Sequence, residues 1–180
     1  MLPVGAKIGI LGGGQLGRML CVAASRLGFK CHVYEPSRNP PAGDTSAILT
    51  TAPYTDITAL ERFARSVDVV TFEFENVPVE ALDFIERIVK ISPSRRALEI
   101  SQDRLFEKEF LHSLFLKTAP YLKVDNIGEL TNALKKIKFP AILKTRKFGY
   151  DGKGQIKLES EEDVAETIKN FSGSDYILEG

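Results

Sequence analysis

The sequence has no run of about 18 apolar residues, so no segment reads as a helix that crosses a bilayer. It enters AKIGILGGG directly, without the charged stretch, apolar core and cleavage signal of a secretory leader. It has no excess of either charge. Lys plus Arg and Asp plus Glu are 24 each, which removes the attraction that a basic surface offers to nucleic acid or anionic membrane. A basic pocket for a small anion is still compatible with that balance. Cysteine is scarce: Cys21 and Cys31 stand on different predicted elements and form no CxxC. Two buried free thiols are expected rather than a disulfide, which suits a reducing, cytoplasmic setting. His32 and His112 belong to no ligand spacing, so no zinc site is expected. No solenoid repeat or low-complexity tract is present.

What is there is an alternation of strand and helix signals. At 180 residues the chain has room for one domain, or one domain plus part of another. Lys7 to Leu11 is a short apolar run ending in glycines. Leu16, Leu20, Ala23, Ala24 and Leu27 then recur at the spacing of one helix face. Strands are expected at Lys30 to Tyr34, Ala47 to Leu49, Asp68 to Phe74 and near Ile91. Helices are expected at Ile57 to Ser66 and Val79 to Ile88, and PSRNPPAGD reads as a loop. Such alternation indicates a Rossmann-like parallel sheet covered on both faces, with ligands collecting at the carboxyl ends of the strands. Glycines 12 to 14 and the segment Glu73 to Asn76 should therefore face a common crevice.

From Ser94 to Leu116 the pattern is helical, with a break near Ser101. A second α+β unit follows, with strands at Tyr121 to Val124, Ala141 to Thr145, Gln155 to Leu158 and Tyr176 to Leu178. Asn126 with Glu129, and Ser160 with Asp163, are helix-start signatures. Ile127, Leu130, Leu134 and Ile137 should line one buried helix face, and Val164, Ile168 and Phe171 the other. The domain boundary is expected around Ser92 to Gln102, dividing residues 1–100 from 101–180.

Three stretches could carry chemistry. In ILGGGQLGRM, Gly12, Gly14 and Gly17 match G-x-G-x-x-G between a strand and a helix, with Glu35 eighteen residues beyond Gly17. That arrangement lets backbone approach a phosphate at a helix N-terminus. It would serve a nicotinamide cofactor or another phosphate ligand, or be a tight turn with no ligand. In VVTFEFENVP, an extended strand would put Glu73 and Glu75 on one face and Phe72 and Phe74 on the other. The two carboxylates could bind an amine or ribose hydroxyls, or simply be a solvated face. In PAILKTRKFGYDGKGQ, Lys144 interrupts an apolar strand, where an ammonium is costly unless it reaches an anion or water. The loop Gly149-Tyr150-Asp151-Gly152-Lys153-Gly154 offers backbone N–H groups and a mobile cation suited to polyphosphate. A plain hairpin turn is the alternative.

Taken together, GGGQLGRM, TFEFENVP and KTRKFGYDGKGQ resemble the 5-(carboxyamino)imidazole ribonucleotide synthetase family of ATP-grasp ligases, essentially from Lys7 onward. The resemblance implies a pre-ATP-grasp domain followed by the first part of an ATP-grasp domain. It implies the reaction of 5-aminoimidazole ribonucleotide, bicarbonate and ATP to the carbamate, ADP and phosphate, through carboxyphosphate, in purine biosynthesis. By the same resemblance, Gly14, Gln15, Leu16 and Glu73 would contact the aminoimidazole ribonucleotide, with Tyr150 and Asp151 between it and ATP. Arg104, Lys144, Gly149, Tyr150, Asp151, Gly152, Lys153, Gly154, Gln155, Glu179 and Gly180 would form the ATP site. Lys144, Lys153 and Asp151 would act in catalysis.

Family members continue past the position of Gly180 with the magnesium ligands and further phosphate contacts. The Mg²⁺ site is therefore expected outside this chain, and a 180-residue truncation is expected not to turn over alone. A homodimer is implied by the resemblance only. The rival readings are another ATP-grasp ligase or carboxylase using glycinamide ribonucleotide or biotin, a noncatalytic nucleotide-binding remnant, and a nicotinamide oxidoreductase that depends on Glu35.

Overall fold

The computed structural model of the protein describes residues 1–45, 47–149, 153–171 and 175–180. The chain forms two compact units, Met1–Glu99 and Ile100–Gly180.

In the first unit, β1 (Lys7–Leu11), α1 (Gln15–Arg26), β2 (Lys30–Tyr34), β3 (Ile48–Thr50), α2 (Ile57–Arg65), β4 (Val69–Phe72) and α3 (Val79–Glu86) follow in order. Helix α4 (Arg95–Ser101) runs across the division between the units. The four strands are all parallel, in the order β3-β2-β1-β4, and Ile91 adds a single parallel bridge to Val70. Registers Ile10↔Val33 and Leu11↔Tyr34 put alternate residues on opposite faces of the sheet. Leu11 and Tyr34 join Leu60, Phe63, Leu82, Ile85 and Leu98 in one core. Ile10 and Val33 join Cys21, Ala24 and Cys31 in the other. The sheet is thus covered on both faces, as the alternation implied. Both cysteines are free and buried. A hydrogen bond from Cys31 pulls the Cys21 thiol down to about 7, while that bond and burial push Cys31 up.

His32 is buried under α2, with Nδ1 2.7 Å from Ser66 Oγ and Nε2 2.8 Å from Thr50 Oγ1. Ser66 Oγ gives its own hydrogen to the Phe63 carbonyl at 2.7 Å. Nδ1 must therefore carry the imidazole hydrogen, and Nε2 accepts from Thr50. Burial, then the charge of Lys7, lowers the pKa of His32.

Four local expectations change. Most of the expected apolar stripe of α1 faces outward: Leu16, Leu20, Ala23 and Leu27 are exposed, Ala24 alone of the stripe is buried, and Gly17 and Cys21 join it. The small residues win because the helix lies close on the sheet. Strand β4 ends at Phe72, so Glu73 and Glu75 do not share a strand face. The loop PSRNPPAGD closes in a short 3-10 turn, Pro41–Asp44. Ile127 stands at the first position of its helix and is exposed.

In the second unit, α5 (Arg104–Ser113), β5 (Tyr121–Val124), α6 (Ile127–Leu134), β6 (Ala141–Thr145), β7 (Gln155–Leu158), α7 (Glu161–Asn170) and β8 (Tyr176–Glu179) follow in order. The sheet is antiparallel throughout, in the order β5-β8-β6-β7. Both start signatures act as caps. Asn126 accepts from Glu129 N, and Ser160 and Asp163 form a reciprocal capping box. Ala141 and Leu143 point into the core with Leu130, Leu158, Val164 and Leu178. Ile142 and Lys144 take the opposite face. The glycine-rich stretch is the connection of the antiparallel pair β6–β7, so its topology is that of a hairpin.

Candidate functional site

The two units each gather part of the expected residues. In the first, the turn from β1 into α1 is tightly enclosed. A Cβ on Gly17 would stand 2.6 Å from the Gly12 carbonyl oxygen, and Gly12 itself has φ +102° with the Glu73 carboxylate 2.8 Å from where its Cβ would be. A side chain at Gly17 would have to displace backbone, and one at Gly12 would be strained by its positive φ and would push the Glu73 side chain aside.

The amides of this turn are capped by two carboxylates that the sequence separates widely. Gly13 N–H donates to Glu35 Oε2 at 2.8 Å, and Gly14 N–H donates to Glu73 Oε1 at 2.9 Å. Glu35 Oε1 accepts from both the N–H and the hydroxyl of Ser37, at 2.9 and 2.6 Å. Both Glu35 oxygens are thus engaged within the protein, at the position where a nicotinamide enzyme would offer an acid to a ribose diol. The oxidoreductase reading loses its anchor there. Glu73 spends only Oε1 on the turn.

Gly14, Glu35, Tyr54, Glu73, Phe74 and Asn76 line an open cavity of about 710 Å³, together with Ser37 and four prolines. Of the expected substrate contacts, Gly14 and Glu73 line this cavity. Gln15 and Leu16 lie exposed at the start of α1 and are not among its lining residues. Tyr54 carries no sequence signal that would have singled it out.

In the second unit, Lys144 and Glu179 lie on one face of the sheet, on neighbouring strands. Lys144 Nζ donates to Glu179 Oε2 at 2.9 Å, and Lys108 Nζ from α5 approaches the same oxygen at 3.6 Å. All three side chains are mostly buried, with 22, 13 and 12% exposure for Lys144, Lys108 and Glu179. The lysine that looked costly in an apolar strand thus reaches an anion, and the cluster keeps a net positive charge. Lys108 went unnoticed in the sequence because a lysine on a polar helix face is ordinary.

Arg104 donates to the carbonyls of Thr145 (2.8 Å) and Gly149 (2.9 Å), pinning the start of the glycine-rich connection. Its neighbour Asp103 is 1% exposed and receives Arg146 Nε at 2.9 Å and Nη2 at 2.5 Å, besides the Leu105 N–H at 3.0 Å. Burial raises the Asp103 pKa, but the Arg146 guanidinium and the helix amide outweigh it and the net shift is downward. The far end of the connection is fixed by Thr145 N–H to the Gly154 carbonyl at 2.7 Å. Lys153 and Gln155 are exposed, and Gly180 N–H donates to the Pro120 carbonyl at 3.0 Å. Tyr150, Asp151 and Gly152 lie outside the described residues. Among the described residues, no group of three or more His, Cys, Asp or Glu could hold a metal ion.

The comparisons extend this geometry. Residues 5–102 match the family model of the ribonucleotide synthetase preATP-grasp domain, and residues 109–180 match that of the ATP-grasp domain. An N5-carboxyaminoimidazole ribonucleotide synthase of Brucella melitensis is 44% identical over 99% of this chain. The solved N5-carboxyaminoimidazole synthetase of Staphylococcus aureus, complexed with ADP, superposes with a TM-score of 0.93 at 37% identity over 99% of the chain. The Aspergillus clavatus synthase, in complex with ADP and 5-aminoimidazole ribonucleotide, does so at 0.85 and 30% over 98%. The chain spans 50% of the Brucella protein and 48 and 46% of the two solved chains. With the parallel sheet and its glycine turn in the first unit and the antiparallel sheet in the second, the chain belongs to the ribonucleotide synthetase preATP-grasp family, its first domain leading into an ATP-grasp segment.

Proposed function

We propose that this chain is the substrate-binding and first nucleotide-binding portion of an N5-carboxyaminoimidazole ribonucleotide synthase. The reaction would carboxylate 5-aminoimidazole ribonucleotide with bicarbonate at the expense of ATP, through carboxyphosphate, in a cytoplasmic setting. The observation that carries the reading is the 44% identity, over nearly the whole chain, to a protein of that name. The geometry supports it. The Lys144–Glu179–Lys108 cluster gives buried positive charge suited to phosphate oxygens, while the cavity at Gly14 and Glu73 suits a hydrogen-bonding ligand.

ATP, when bound, supplies the phosphoryl group. In this reading Lys144 and Lys108 hold its phosphates, and Glu179 keeps both ammonium groups in place beforehand, so little reorganisation accompanies binding. Arg104 holds Thr145 and Gly149 so that Lys153 arrives at the same region. Lys153 and Asp151 complete the proposed catalytic set, and Tyr150 and Asp151 are proposed substrate contacts. Gln155, Gly154 and Gly180 belong to the proposed nucleotide contacts. Mg²⁺ is needed for such chemistry, and no ligand set for it occurs among the described residues, so no step is assigned to it.

Calorimetric titration with ADP is expected to show saturable binding that Lys144→Ala weakens at least tenfold; no binding to the parent chain would defeat the nucleotide half of the proposal. For the reaction, ADP release would be followed in this chain fused to the remaining half of a relative. Stimulation by 5-aminoimidazole ribonucleotide with bicarbonate is expected. Stimulation by glycinamide ribonucleotide or biotin instead would assign the chain to another ATP-grasp enzyme.

A further inference from the structure

The cavity of the first unit contains a polar atom that the chemistry above leaves unused. Tyr54 sits in the turn before α2 and lines the cavity beside Gly14, Glu35 and Glu73. Its ring stacks on Tyr34, with centroids 5.5 Å apart and planes at 25°. Tyr34 is fully buried and tied through its hydroxyl to the Pro53 carbonyl at 2.7 Å. The Tyr54 ring is therefore held from behind, yet its own hydroxyl is buried and has no hydrogen-bond partner among the described residues. A buried hydroxyl without a partner is unfavourable unless a ligand completes it. Burial, then the charges of Glu35 and Glu73, push the phenol up, and the Gly12 N–H, which is bonded to the Tyr34 carbonyl, lies near enough to pull it slightly back. The hydroxyl stays protonated with its hydrogen unused, so it is a donor.

The two carboxylates beside it are not equivalent. Glu35 has both oxygens engaged, whereas Glu73 Oε2 has no protein donor among the described residues. A ligand group that satisfies Tyr54 and Glu73 together must accept from a phenol and donate to a carboxylate. A hydroxyl or a neutral amine does both. A fully ionised phosphate monoester can only accept, and any phosphate would meet the negative charges of Glu35 and Glu73 at close range.

We infer that Tyr54 binds the substrate directly: its hydroxyl donates to a hydroxyl or neutral amine whose own hydrogen goes to Glu73, so the cavity takes the uncharged part of an aminoribonucleotide and leaves the phosphate outside. This rests on the function proposed above.

Titration of the parent chain and of Tyr54→Phe with 5-aminoimidazole ribonucleotide, with the corresponding phosphate-free riboside and with inorganic phosphate tests it. The substitution removes one oxygen and retains the stacked ring. Affinity for ribonucleotide and riboside is expected to fall at least tenfold by the same factor, with ADP affinity and Tm unchanged. In a double-mutant cycle with Glu73→Gln, the double variant is expected to lose less than the product of the two single losses, because one ligand group bridges both residues. Undiminished ribonucleotide affinity in Tyr54→Phe, or fully multiplicative losses, would overturn the inference. So would inorganic phosphate displacing the riboside from the cavity. If the parent chain bound neither ribonucleotide nor riboside, the proposed substrate itself would fall, and the inference with it.

Discussion

Single residues decide this molecule where backbone and carboxylate meet. The G-x-G-x-x-G turn presents amides that a phosphate could use, but Gly13 and Gly14 give theirs to Glu35 and Glu73. The turn is thus already neutralised at two of its donors. Gly17→Ala tests how little room it has: the new methyl would lie 2.6 Å from the Gly12 carbonyl oxygen, and the backbone must move. A loss of about 1–3 kcal/mol is expected in urea unfolding, typical of steric strain at a packed position. Glu35→Gln keeps one acceptor oxygen for three donors, Gly13 N–H and the N–H and hydroxyl of Ser37, and turns an NH2 toward the rest, so stability in urea should fall as well. The spacing of glycines was legible in the sequence. The identity of their partners was not, because Glu73 stands 59 positions beyond Gly14 and only the β1–β4 pairing brings it there.

At the scale of elements, helix caps were readable and helix faces were not always. Asn126 and Ser160 cap α6 and α7 as their spacing implied, because the capping bond is local. Asn126→Ala should cost about 1 kcal/mol in thermal or urea unfolding. Helix α1 misled because it carries two candidate faces, a large apolar one at Leu16, Leu20 and Leu27 and a small one at Gly17, Cys21 and Ala24. Periodicity alone favours the larger; close approach to the sheet selects the smaller. The start of α5 is joined to the end of β6 by Asp103 and Arg146. Removing the cation by Arg146→Ala leaves Asp103 buried and uncompensated, and about 3–5 kcal/mol should be lost. Adding Asp103→Asn to that variant should recover part of the loss, measured by chemical denaturation.

For the molecule as a whole, the pH dependence of stability follows from His32. Its pKa is lowered in the folded state, so the unfolded chain takes up a proton first as the pH falls. The associated stability is present above the unfolded value of about 6.5 and is lost as the pH falls from there toward the lower folded value. The Tm should therefore fall between pH 7 and pH 5, and replacing His32 by Gln should flatten that decline while lowering the Tm at pH 7. Asp103 acts in a lower range, its stabilisation being lost as the pH falls below the ordinary carboxylate value. By itself the sequence determined the parallel sheet, the strands and helices of the α+β unit that follows it, the glycine turn and Lys144 as an anion-seeking cation, since each depends on short-range periodicity, turn chemistry or the cost of burying one charge. Tertiary structure alone decided that Lys108 and Glu179 meet Lys144, that Glu35 is engaged at both oxygens while Glu73 Oε2 has no donor among the described residues, and that Tyr54 lines the same cavity. Those contacts join residues distant in the chain, and their partners are set by strand register and helix packing.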